Sequence, residues 1–187
     1  VAADFLKQDG VNFIGFANRT EPADENSWNF RNKLDPSAQH LQINRSYSIS
    51  GGKRFYVGKD KNPLSFFLTA GHTMDYQYTD EIIRNTTTSG TVYKDMNGKK
   101  YAENISQLAL ANVDFDMQNR HHISYNLMMI HANTQSVGDY NGKNSIFSDD
   151  YENLGFTRRQ QTNDNMLIVN QLMTNWGLTK SLSLDAG

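Results

Sequence analysis

From Leu41 onward the chain alternates apolar and polar residues with a period of two, the signature of half-buried strands. In "HLQINRSYSIS" (40–50), Leu41, Ile43, Tyr47 and Ile49 fall on one side of an extended chain. Gln42, Asn44, Ser46 and Ser48 fall on the other, and Arg45 interrupts the apolar set. In "LSFFLTAGHTMDYQY" (64–78), Leu64, Phe66, Leu68, Ala70, Met74, Tyr76 and Tyr78 share a side with His72, opposite Ser65, Phe67, Thr69, Gly71, Thr73, Asp75 and Gln77. The pattern returns with Ala109, Ala111, Val113, Phe115 and Met117 against Asn112, Asp114 and Asp116. After "QNR" it resumes with Ile123, Tyr125, Leu127, Met129 and His131 against His122, Ser124, Asn126, Met128 and Ile130. Phe156 to Trp176, a "GLTK" turn and "SLSLDAG" complete about six strands after residue 40, several longer than the usual five or six residues.

The connections add direction. Those near Lys59–Pro63, Gln118–Arg120 and Gly177–Lys180 are short, whereas Asp80–Ala102 and Val137–Leu154 read as long polar loops. In an up-and-down sheet, alternate turns lie at the same end. The short ones therefore share one edge and the long ones the other, as in outer-membrane barrels. About 9–11 tilted strand residues cross a bilayer, so longer strands are expected to project on the long-loop side. "TRRQQTNDN" (157–165) runs into "MLIVNQLMTNW" (166–176) without a Gly or Pro, as one strand leaving an apolar layer for water would. Residues 1–39 read as a loop-rich segment with one candidate strand, "GVNFIGF", and residues 40–187 as barrel-wall strands and loops. The last strand stops at Gly187 without its next partner, so the chain reads as a piece of a larger barrel.

Composition narrows the partners. A net charge of -2 and a pI near 6.2 provide no basic field for nucleic acid. The chain has no cysteine, which excludes disulfides, thiolate metal sites and cysteine nucleophiles. A mean hydropathy of -0.67 and the lack of a long apolar run exclude a membrane helix but not a barrel, whose apolar residues occupy alternate positions. The opening "VAADFLKQDG" lacks the basic region and apolar core of a signal peptide.

"LANVDFDM" (Leu110–Met117), "YNLMMIHANTQSVG" (Tyr125–Gly138) and "GFTRRQQTNDN" (Gly155–Asn165) resemble the barrel of TonB-dependent outer-membrane receptors, in the large group that carries an N-terminal regulatory extension. The likeness covers about residues 105–187; residues 40–80 fit in pattern only. It implies a large barrel plugged by an N-terminal domain, located in the bacterial outer membrane. Such a receptor imports a scarce nutrient with energy delivered by TonB. No plug and no TonB box are recognisable here, so the implied partners are the rest of the barrel, the plug, TonB acting through it, membrane lipid and a nutrient ligand.

Candidate chemistry is sparse. "DDYENLGFTRRQQ" brings Asp149, Asp150, Tyr151, Arg158 and Arg159 to a loop–strand junction, a set suited to carboxylates, phosphates or sugars at an extracellular rim. The competing account is Asp–Arg pairing that ties neighbouring strands. Asp114 and Asp116 share a strand face at i, i+2, with Asp75 on another strand, and are expected to face a hydrated lumen. His121 and His122 point to opposite faces and cannot easily chelate one ion, so no metal or other cofactor is assigned. No nucleophile elbow, zinc-protease or phosphate-loop pattern occurs, and the chain is not read as an enzyme. Leu64, Phe66, Leu68, Val113, Phe115, Tyr125, Leu127 and Met129 are expected to face lipid. The rival reading is a soluble all-β carbohydrate- or protein-binding module.

Overall fold

The computed structural model describes residues 5–7, 14–16, 35–39, 42–118, 120–145, 155–179 and 182–187. Strands β1 (Phe5–Lys7) and β2 (Ser37–Gln39) form a two-stranded antiparallel sheet, Phe5 opposite Gln39. Strands β3 (Arg45–Val57), β4 (Asn62–Thr86), β5 (Val92–Met117), β6 (His121–Asn144), β7 (Gly155–Gly177) and β8 (Ser183–Ala186) form a six-stranded sheet in chain order. It is antiparallel and up-and-down, it is not closed into a barrel, and no helix occurs among the described residues. Ile14–Phe16, inside the candidate strand "GVNFIGF", is a turn and bend.

Of the two segments expected to be loops, Asp80–Ala102 is largely strand, and Val137–Leu154 is strand as far as Asn144, residues 146–154 lying outside the described ones. β4 and β5 have 25 and 26 residues and continue through most of Asp80–Ala102 to the turn at Thr87–Thr91. There the Thr87 N–H donates to the Thr91 carbonyl at 2.9 Å, and Gly90 takes φ 86°. β6 likewise runs on to Asn144. Polarity misleads here because a strand requires ladder hydrogen bonds and a fit to its neighbours; it does not require apolar side chains. The short connections are tight turns: Arg120 N–H donates to Met117 O (3.1 Å), with Gln118 at φ 53°.

The chain divides into two compact units. One comprises Arg45–Thr73, Ser106–Ala132 and Asn165–Gly187. Its sheet has one apolar face, where Phe55 stacks on Phe66 (5.6 Å between centroids), His121 meets Trp176 (4.8 Å) and Tyr125 donates to Asn170 (2.8 Å). His72, Gln107 and His131 bond in sequence across β4, β5 and β6, so they share this face. Strand alternation then places Leu64, Phe66, Leu68, Val113, Phe115, Tyr125, Leu127 and Met129 together on it. Leu68 is 53% exposed and Leu172 57%, far more than a buried sheet face leaves open.

The other unit comprises Val1–Asn44, Met74–Ile105 and Asn133–Asp164. It holds much of the buried core: Met96, Val137, Ile105, Tyr101 and Tyr140. Gly15 packs so closely on Ile105 that a Cβ there would lie 2.6 Å from Cγ2. A backbone at φ 94° and this contact both call for glycine.

Candidate functional site

Of the rim residues expected from sequence, Asp149, Asp150 and Tyr151 lie outside the described residues. Arg158 and Arg159 are adjacent in β7, and strand alternation sends their side chains to opposite faces. Arg158 grips Asp139 of β6 with a two-pronged fork, Nε to Oδ1 at 2.7 Å and Nη2 to Oδ2 at 2.8 Å. Its guanidinium also sits 5.5 Å from the Phe156 ring centre and 3.8 Å from the Asp35 carboxylate. The bond to Asp139 holds the guanidinium pKa above its ordinary value, against the opposing effect of desolvation. This fork ties β7 to β6. Arg159 is exposed and donates to Gln161 (3.0 Å) on its own strand.

The carboxylates expected to line a lumen are all engaged. Asp116 Oδ1 lies 2.6 Å from His122 Nδ1, and Asp114 lies 3.8 Å from His122 Nε2, so one imidazole spans both acids. On the same face Asn112 donates to Asn126 (2.8 Å) and Ser124 (3.4 Å). In the other unit Asp75 accepts from Asn44 (2.7 Å), whose own oxygen receives the Tyr76 N–H (2.9 Å). His121 packs against Trp176 while His122 meets the acids, on opposite faces of β6. Among the described residues no group of three or more His, Cys, Asp or Glu is placed to hold a metal ion.

One concavity was not foreseen. It is an open cleft of about 1330 Å³ over β4–β7, formed entirely by residues of the unit that includes Met74–Ile105. Side-chain contacts give its registers. Arg84 bonds to Asp95 (3.1 and 3.2 Å) and Tyr78 packs on Tyr101 (5.3 Å), which sets β4 against β5. Tyr140 lies over Gly98, which sets β5 against β6, and Arg158–Asp139 sets β6 against β7. Counting from these pairs, the floor consists of three rows running across the strands. The first is Asp80, Lys99 and Asp139, continued beyond the cleft lining by Arg158; the second Ile82, Asn97, Asn141 and Phe156; the third Arg84, Asp95 and Lys143. The outer rows alternate in charge and are substantially paired internally, whereas the middle row is neutral.

The back of this floor is braced by Tyr140. Its ring lies against Gly98 of β5 and Gly138 of its own strand, where a Cβ would come within 2.1 and 2.6 Å of ring atoms. Its hydroxyl donates to Glu81 of β4 at 2.8 Å, so one side chain links three strands. Burial, and then the bond to a carboxylate, push the phenol pKa up to about 12.

A sequence-only reading could not find this cleft, because its residues are two apart on each of three strands and form no local motif. The usable signal was the turn "TTTSGT" (86–91), whose glycine fixes the β4–β5 hairpin. Comparison with protein-family models, curated proteins and solved structures finds no match for the chain.

Proposed function

We propose that the chain is part of the wall of a TonB-dependent outer-membrane receptor that binds and imports a scarce nutrient. The observation that carries this reading is the two-faced sheet of the unit containing Arg45–Thr73, Ser106–Ala132 and Asn165–Gly187. One face presents exposed aliphatic and aromatic side chains on every strand: Tyr47, Ile49, Phe66, Leu68, Val113, Leu127, Ile168, Leu172 and Leu184. The opposite face carries the bonded network of Asn112, Ser124, Asn126, Asp116 and His122. In water such an apolar face is an aggregation hazard; against lipid it is the expected surface. Ala109–Met117 and Ile123–His131 each provide about the nine residues that a tilted strand needs to cross the hydrocarbon layer. The membrane-crossing parts lie within 45–73, 106–132 and 165–177, and Tyr140 and Arg158 lie outside them. The open edges of β3 and β8 would pair with further wall strands.

The chain has no cysteine, so single cysteines can report depth. Leu127→Cys and Asn126→Cys, each carrying an environment-sensitive nitrobenzoxadiazole label, are reconstituted into vesicles. The label at 127 should be quenched by doxyl lipid and protected from iodide, and the label at 126 should behave oppositely. Equal iodide quenching at both sites, or a chain that stays in solution beside the vesicles, would overturn the membrane reading in favour of a soluble binding module.

A further inference from the structure

We propose that the neutral row Ile82, Asn97, Asn141 and Phe156 is a binding site for an extended peptide lying across β4–β7. Ile82 is 71% exposed and Phe156 55%, and they stand at the two ends of the row. Between them Asn97 and Asn141 are exposed, and their carboxamides have no partner among the described residues. A carboxamide offers one acceptor oxygen and an N–H donor, the same pair that a peptide group presents in reverse. Strands lie about 4.8 Å apart, so three steps separate Ile82 from Phe156 by about 14 Å. An extended peptide advances about 3.4 Å per residue, so its first and fifth side chains, on one face, match that distance. Two apolar side chains would then seat on Ile82 and Phe156 while the intervening backbone bonds to the two carboxamides.

The flanking rows favour a backbone ligand over a charged one. Arg84 is neutralised by Asp95 at 3.0 Å and Arg158 by Asp139 at 2.7 Å, so neither row selects a strongly anionic or cationic molecule. Lys99 has no ion pair among the described residues and can donate to a peptide carbonyl. A saccharide would set hydroxyls against the aliphatic Ile82, where they gain nothing. The site is formed within one unit and does not depend on whether the chain lies in a membrane.

The test uses the 187-residue chain in detergent micelles and a capped, fluorescein-labelled pentapeptide with leucine first, phenylalanine fifth and alanine between, followed by fluorescence polarisation. Saturable binding is expected. Asn97→Ala and Asn141→Ala should each weaken it about fivefold, the worth of one net hydrogen bond. Phe156→Ala should weaken it about tenfold or more through lost apolar burial. Gln161→Ala, on the opposite face of β7, should leave Kd unchanged. Because the variants must fold, the same peptide methylated on its three central amide nitrogens is also offered to the unaltered chain, and it should bind at least tenfold more weakly. The proposal is overturned by no binding at millimolar peptide, by equal binding of the methylated peptide, or by displacement of the peptide by maltopentaose at equal concentration.

Discussion

Replacing Gly98 by alanine tests how the polar strands of the cleft are held in register. Gly98 is not one of the positive-φ glycines, so an added methyl costs nothing in backbone conformation. Its cost lies across the strand pair. The new Cβ would sit 2.1 Å from Cδ1 and 2.3 Å from Cε1 of Tyr140, inside any tolerated carbon–carbon contact. The ring cannot slide away along its own strand without crowding Gly138, whose Cβ position is already 2.6 Å from Cε2. If Tyr140 stays, the floor is overpacked, at about 1–3 kcal/mol. If it swings out, it gives up the 2.8 Å bond to Glu81, worth about 1.5–3 kcal/mol for a charged acceptor, and the burial of a ring that is 6% exposed. The cheaper route sets the loss, so Gly98→Ala should destabilise by about 1–3 kcal/mol. In a Tyr140→Ala background the same change should be neutral or stabilise by about 0.5–1 kcal/mol, since alanine outperforms glycine in a strand. Urea unfolding in micelles, followed by far-ultraviolet circular dichroism, closes the double-mutant cycle. Equal cost of Gly98→Ala in both backgrounds would refute the cross-strand account.

The Tyr140 phenol also predicts a pH dependence. Its pKa stands near 12 in the folded chain and 10.0 in the ordinary case, so the unfolded state loses its proton first. The stabilisation is whole below pH 10 and is lost as pH rises from 10 towards 12. Tyr140→Phe should flatten that part of the stability–pH curve, and an unchanged slope would contradict the assignment. Arg158→Lys keeps the charge but not the fork to Asp139, so it should cost about 1–2 kcal/mol and speed amide exchange around residue 139. Wild-type exchange rates there would show that the pair contributes little.

The period of two was enough to read β3 to β8 and the apolar face from sequence, because each such strand advertises its apolar side locally. Asp80–Ala102 and the described part of Val137–Leu154 escaped that reading for a physical reason. Their strands are held by pairs such as Arg84–Asp95, Tyr140–Glu81 and Thr134–Asn104, whose members are 11, 59 and 30 positions apart. Polar partners satisfy one another only once the register is set, so no residue taken alone reveals that it belongs to a sheet. Arg158 makes a related point: sequence position groups it with Arg159 and Tyr151, while its bonded partner is Asp139, nineteen positions back. Asn97 and Asn141 make the same point for function. They were two asparagines among many, and what distinguishes them is exposure without a partner between the apolar Ile82 and Phe156. In an asparagine-rich sheet of this kind, the polar side chains that pair are structural. Those left unpaired between apolar anchors are where a ligand would complete the ladder.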